Sequence, residues 1–219
     1  MTTYAELRTA ADSAYAEVLN PTRTRVTVYH DTAGIAMGST ATLAALQSEL
    51  DGQAVDIQVA GSLGFSYAEP MVEVAQPDGT RVAYAHVTAD KVPGFVEKVV
   101  KGRAVDTDLA FCVIAGDVRG VRALAETEFW PGQNRRLMAN LGRNDPENID
   151  HYIATGGYEG LDKALKMTAE EVSKQVLDAG LWGRGGAAFP TGRKWEFLRG
   201  ARGEPKYQVC NADEGDPGA

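Results

Sequence analysis

The feature that most constrains this chain is a hydrophobic period that switches between helix-like and strand-like spacing along its first hundred or so positions. Residues 4–19 place Leu7, Ala11, Ala14 and Val18 on one stripe at the spacing of an amphipathic helix, and Asn20-Pro21 ends it. Arg25 to Tyr29 then alternates as a strand, residues 40–50 read as a helix, and 54–59 read as a second strand. Strands at 71–75 and 81–85 flank the turn Gln76-Pro77-Asp78-Gly79. A helix over 89–100 turns Val96, Val99 and Val100 inward. The order β-α-β-β-β-α predicts a small α/β domain.

That order fits a thioredoxin-like domain. Residues 111–115 (Phe-Cys-Val-Ile-Ala) read either as a strand or as a short buried helical turn, and the stretch around Pro131-Gly132 and Arg135-Arg136 reads as a connector. A helix is expected over 146–153 with Pro146 near its first turn, ending at Gly156-Gly157, and 158–167 continues helical. Thr168-Ala-Glu-Glu171 is a capping box opening a helix to Ala179, with Gly180 as its stop. Residues 101–150 give no clear period, and the reading sharpens from 145 onward.

Composition excludes several classes. With 22 basic against 30 acidic residues the chain is not a general nucleic-acid binder. The start lacks a signal-peptide pattern, and no run approaches the 18 or so apolar residues of a membrane span. Two cysteines, Cys112 and Cys210, cannot make a disulfide framework or by themselves ligate an iron–sulfur cluster. A cytoplasmic, reducing compartment is expected. His30, His86 and His151 are scattered and form no pattern.

Chemistry gathers near the C-terminal end. Gly183-Arg184-Gly185-Gly186 opens a loop that runs to Gly192, and a helix is expected from about Thr191. Glycines let a ligand reach backbone N–H groups, and a helix start offers unpaired donors to an anion. Residues 181–206 hold six basic and two acidic residues inside an otherwise acidic chain, and Lys194 suits a phosphate contact. Such a loop is either a tight turn or a phosphate cradle. Phe189 and Phe197 either pack in a core or sandwich an adenine. Tyr207 to Cys210 reads as a strand leading to Asn211, Asp213, Glu214 and Asp216, which form either a solvated turn or a set of hydrogen-bonding groups at a strand end.

Taken together, DPENIDHYIATGGYEGLDKAL, GLWGRGGAAFPTGRKWEF and KYQVCNADEGDPG resemble the family of flavin- and NADH-binding subunits of respiratory complex I. That family includes diaphorase subunits of NAD-reducing hydrogenases and of soluble NAD-dependent formate dehydrogenases, and the resemblance is nearest to the formate dehydrogenase β subunit. It implies that Gly183, Arg184, Gly185 and Gly186 cradle FMN, that Lys194 is the lysine of the motif, and that Asn211, Asp213 and Glu214 hydrogen-bond the flavin. Phe189 and Phe197 fall on the aromatics that sandwich the adenine of NAD. Ala188 departs from the family's usual glycine, and Asp216 from a longer Glu.

The first 103 residues resemble the thioredoxin-like ferredoxin domain of the same complexes, whose [2Fe–2S] cluster is held by C-x4-C and C-x3-C pairs. Alignment puts Tyr29, Gly34, Ser62 and Ser66 at the four ligand positions. None is a thiolate, so a degenerate, cluster-free domain with no metal site is expected.

The resemblance implies an α/β chain in two parts, with the flavin domain continuing past Ala219 and followed by a β-rich domain and a [4Fe–4S] region. The implied activity is electron transfer between NAD(H), FMN and iron–sulfur clusters, beside iron–sulfur and catalytic partner subunits. No catalytic acid or base is assigned, because hydride transfer needs none. Alternatives are the diaphorase of an NAD-reducing hydrogenase or of complex I, and a non-catalytic assembly module.

Overall fold

In the computed structural model the strand-period segments form one sheet and the helix-period segments cover it. The structure describes residues 2–128 and 130–211. They divide into two units, Met1–Gly157 and Tyr158–Ala219.

The first unit begins with α1 (Tyr4–Leu19), whose N-terminus is closed by a Thr3–Glu6 capping box. Then follow β1 (Thr24–Tyr29), the short α2 (Thr32–Ala36), α3 (Ser39–Glu49) and β2 (Val55–Ala60). β3 (Val72–Ala75) and β4 (Arg81–Tyr84) make the expected hairpin. α4 (Val92–Phe95) runs on into a π-helical segment, Val96–Lys101, and β5 (Ala110–Ala115) completes the sheet. The strand order is β2-β1-β3-β4-β5. β1 and β2 are parallel across the α3 connection, and β3 runs antiparallel to both β1 and β4. This is the thioredoxin-like arrangement, with β5 added at one edge. Residues 111–115 are thus a strand.

The two faces of the sheet are unlike. On one, Val26, Val28, Val72, Val74, Val82 and Tyr84 meet Leu46, Phe95, Val96, Val99 and Val100, all buried. A core residue of this kind is worth about 1.5–3 kcal/mol in burial. On the other face Arg25, Thr27 and Glu73 are also buried, although alternation marks them as the outward set. Glu73 is satisfied there: Tyr29 donates its hydroxyl to Oε2 at 3.0 Å, and Arg81 Nε donates to Oε1 at 2.7 Å. Arg81 acts electrostatically on Tyr15 and Arg25 on His151, which places α1 and α5 (Ile149–Ala154) over this face.

Two expectations about these helices are corrected. On α1 the half-buried or buried positions are Tyr4, Arg8, Ala11, Tyr15 and Val18, while Leu7 and Ala14 face solvent. The tyrosines set the rotation of the helix. Tyr15 donates to Asn144 Oδ1 at 2.7 Å and meets the His151 ring edge-on at 5.3 Å, and Tyr4 donates to the Gly157 carbonyl at 2.9 Å. α5 starts at Ile149, after Pro146, because the Asn148 side chain accepts the Asp150 N–H and caps it. Burial and the Arg25 guanidinium pull the His151 pKa down, against Asp145 and Asp150. Its Nδ1 accepts the Asp145 N–H at 2.9 Å, which fixes the neutral ring.

The second unit contains α6 (Glu159–Ala164), α7 (Ala169–Asp178) and α8 (Thr191–Gly200). The expected capping box is present, with Thr168 Oγ1 accepting the Glu171 N–H at 3.2 Å and Glu171 Oε2 accepting the Thr168 N–H at 2.8 Å. Gly180 takes φ +65 just after α7. Among the described residues no helix is long and apolar enough to cross a membrane.

Glu69 of the first unit is fully buried, and its Oε1 has no hydrogen-bond partner. Burial raises its pKa to about 7, with Met71 N–H opposing and Asp31 adding. A carboxyl raised in the fold favours the native state at acid pH, and that contribution is lost as pH climbs from 4.5 to about 7. Glu69→Gln, which stays neutral, is therefore expected to gain roughly 1–3 kcal/mol over wild type at pH 8 relative to pH 5. Urea unfolding at the two pH values measures this, and an equal difference at both would refute it.

Candidate functional site

Of the residues singled out in the sequence, seven lie together in one short stretch of the second unit: Gly183, Arg184, Gly185, Gly186, Phe189, Lys194 and Phe197. The chain leaves α7, passes Leu181 and Trp182, loops through 183–189 and enters α8. The loop is closed at its base by Gly183 N–H donating to the Phe189 carbonyl and Thr191 N–H to the Leu181 carbonyl, both 2.8 Å. These two bonds make an antiparallel bridge between Trp182 and Pro190. Gly186 takes φ +90, the left-handed conformation that glycine favours. Ala188 takes φ +48, which disfavours any side chain.

α8 starts at Thr191, as its sequence predicts, with Pro190 as N-cap and no side chain capping the exposed N–H groups. Of its first-turn donors, Thr191 N–H is taken by the Leu181 carbonyl and Arg193 N–H by the Pro190 carbonyl at 3.1 Å, so the helix start offers an anion its dipole more than open N–H groups. Gly192 allows the helix to sit against α7: a Cβ there would lie 2.5 Å from both the N and the Cα of Leu177.

Lys194 folds back over the loop. A Cβ on Gly183 would be 3.7 Å from its Nζ and 3.2 Å from the Phe189 carbonyl. Among the described residues no carboxylate pairs with Lys194 or Arg184, whereas Arg193 is paired with Glu196 at 3.1 Å and Lys206 with Glu204 at 3.4 Å. Two unpaired cations, a helix start and an exposed glycine loop form a donor set that fits a phosphate ester. Phe189 and Phe197 do come together, with centroids 6.2 Å apart and planes tilted by 40°. A flat ring held between two others needs about 7 Å and near-parallel planes, so an adenine enters only by spreading this pair slightly.

Tyr207 to Cys210 is not a strand. It has no regular structure and is exposed, with Val209 93% accessible, because no strand of the described second unit lies beside it to accept its hydrogen bonds. Asn211 follows in the same exposed segment. Asp213, Glu214 and Asp216 lie outside the described residues.

In the first unit, the four positions aligned with cluster ligands do not fit a [2Fe–2S] group. Tyr29 is buried and bonded to Glu73. At Gly34 a Cβ would lie 2.5 Å from the Tyr29 carbonyl oxygen, so no side chain fits there without a backbone shift. Ser62 Oγ accepts the Gly64 N–H at 3.1 Å, and Ser66 opens a 3-10 turn. Asp31, which the motif comparison passed over, accepts N–H bonds from both loops. Its signal in the sequence was an N-cap aspartate directly before a short helix.

Comparison with known proteins finds its family match over the same stretch. Residues 176–219 match the model of the Nuo51 FMN-binding domain. The chain is similar to subunits of NAD(P)-reducing hydrogenases and of NADH-quinone oxidoreductases. It is 52% identical over 157 residues to the alpha subunit of the NAD-reducing hydrogenase HoxS of Cupriavidus necator, covering 71% of this chain and 23% of that protein. It is 54% identical over 94 residues to the HndC subunit of the NADP-reducing hydrogenase of Solidesulfovibrio fructosivorans, covering 43% and 19%. With an NADH-quinone oxidoreductase subunit of Aquifex aeolicus it shares 52% over 82 residues, covering 37% and 19%. The chain spans about a fifth of the length of these curated proteins. Among solved structures, the thioredoxin-like [2Fe-2S] ferredoxin of Aquifex aeolicus is similar at 23% identity and a TM-score of 0.35, covering 43% of this chain and 98% of that one.

Two substitutions test the loop and its support. Gly192→Ala is expected to destabilise the α7–α8 pair by about 1–3 kcal/mol, since the neighbouring atoms are backbone; unchanged amide protection in α7 would contradict this. Ala188→Gly is expected to stabilise the loop by up to about 1 kcal/mol, seen as slower exchange of the Gly183 and Thr191 amides, and faster exchange would contradict it.

Proposed function

We propose that this chain is the leading part of a diaphorase subunit, one that passes electrons between NAD(H), FMN and the iron–sulfur clusters of a multi-subunit complex. The observation that carries this reading is Lys194 Nζ lying over the first glycine of a base-pinned loop at the start of α8. In this reading Gly183, Gly185 and Gly186 let the flavin approach the backbone, while Arg184 and Lys194 hold its phosphate. Asn211, Asp213 and Glu214 hydrogen-bond the flavin. Phe189 and Phe197 take the adenine of NAD, each presenting an apolar face that excludes water. Bound FMN would supply the hydride exchange with nicotinamide and the step to one-electron carriers. No side chain here moves a proton. The functional division is 1–103, a connector at 104–139, and 140–219 as the start of the FMN domain.

The assembly is an NAD-dependent formate dehydrogenase in the cytoplasm, with iron–sulfur and formate-oxidising subunits as partners. Support comes from a thioredoxin-like domain without thiolate ligands ahead of the flavin loop in one chain. A second reading, the diaphorase of an NAD-reducing hydrogenase, is favoured by the 157-residue match to the HoxS protein. Formate- against hydrogen-dependent NAD⁺ reduction by the natively purified complex separates the two.

Removing the ammonium tests the site itself. In the complete subunit, Lys194→Ala is expected to weaken FMN retention by about ten-fold or more, the worth of a charge-assisted phosphate contact. FMN released per chain, measured by fluorescence after denaturation, reads this directly. Wild-type FMN content in the variant would remove Lys194 from the site.

A further inference from the structure

Asp31 stands where the two loops of the first unit meet, and each of its oxygens faces a different loop. Oδ1 accepts the N–H groups of Ala33 at 3.1 Å and Gly34 at 3.0 Å, at the start of α2. Oδ2 accepts the Ser62 N–H at 3.0 Å, in the 61–66 loop. Burial pushes the Asp31 pKa up, but the Gly34 amide, the hydroxyl and amide of Ser62 and the Ala33 amide together outweigh it and hold the carboxyl below its ordinary value.

The second loop in turn carries a distant part of the chain. Gly61 presents its carbonyl to the Gly142 N–H at 2.8 Å, and the Leu141 side chain lies so close over Gly61 that a Cβ there would strike it. On the other side, a Cβ at Gly142 would come within 2.5 Å of Leu63 Cδ2. Arg135 holds the segment from outside: its Nη2 donates to the Leu141 carbonyl at 3.1 Å, and its guanidinium sits 4.8 Å over the Trp130 ring. Trp130 stacks on the buried Phe65 of the same loop at 6.0 Å. Glycines at 61 and 142 are what permit this approach.

We propose that Asp31 is a metal-free clasp: by bonding both loops it fixes the 61–63 seat on which connector residues 135–142 dock. Two loops that carry no thiolate are joined by a carboxylate and three amides, and the joined loops hold the chain as it heads toward α5. The clasp is independent of the flavin reading.

Three bonds to one carboxylate and one bond at Gly142 then form a single cooperative unit. The test is amide hydrogen exchange on the full chain, wild type against Asp31→Ala. Ala33, Gly34 and Ser62 are expected to exchange roughly ten- to hundred-fold faster, as for loss of hydrogen bonds to a charged group. Gly142 is expected to accelerate with them, while Val28 and Val72 in the sheet keep their rates. Acceleration of Ser62 with Gly142 unchanged would overturn the proposal. Should the sheet amides accelerate too, Asp31→Asn, which keeps one acceptor oxygen, makes the same comparison. Joint acceleration of Ser62 and Gly142 in that variant, or joint retention of their rates, supports the clasp, and acceleration of either one alone overturns it.

Discussion

The first unit depends on a carboxylate buried in its sheet. Glu73 sits in the middle of β3, 2% exposed, on a face shared with Arg25, Thr27 and Arg81. A charge so placed is costly unless it is bonded on both oxygens. The Tyr29 hydroxyl and the Arg81 Nε provide those bonds from β1 and β4. Because β3 lies between these two strands, the requirement pins three neighbours to one register. A slip of one residue would place a valine where the carboxylate is held and move Glu73 into the apolar layer. The valine face supplies the bulk of the burial, and the polar face supplies specificity of alignment.

That polar face also explains why α1 and α5 belong with the sheet. Neither helix brings a strongly apolar stripe to it. They bring Tyr15 and His151, tied together through Asn144 in the loop ahead of α5: Tyr15 donates to its Oδ1, and its Nδ2 donates to the His151 carbonyl. Arg25 Nη1 is an orphaned atom, buried without a partner. Oε1 of Glu69 is another, although Oε2 accepts the Met71 N–H at 2.7 Å.

Much of this was legible in the sequence, and the failures share a cause. Val96, Val99 and Val100 announced the covered face, the Gln76–Gly79 turn announced the hairpin, and Thr168–Glu171 announced the start of α7, because each is a local signal with a local cause. The rotation of α1 was misread because hydrophobicity alone chose Leu7 and Ala14, whereas the contacts were made by tyrosines with hydroxyl partners more than a hundred residues away. Arg25 and Glu73 alternated with valines as solvent-facing residues do, and nothing in the period of a strand reveals a second covering layer. Tyr207–Cys210 has the composition of a strand, but a strand exists only with a neighbour. In the glycine loop the sequence located α8 and the basic cluster, while the folding-back of Lys194 over Gly183 required coordinates.

The bridge at the root of that loop has a consequence for binding energetics. A segment of seven residues whose ends are already joined by two hydrogen bonds has surrendered most of its closure entropy before any ligand arrives. What remains to be ordered is the tip around Gly185 and Gly186, a matter of a few dihedral angles. Binding free energy spent on such a tip is small compared with that needed to gather a slack loop of equal length, so a modest set of contacts can suffice. The shape that this stretch offers is thus set as much by the backbone of Leu181, Gly183, Phe189 and Thr191, which closes the loop, as by the side chains of Arg184 and Lys194.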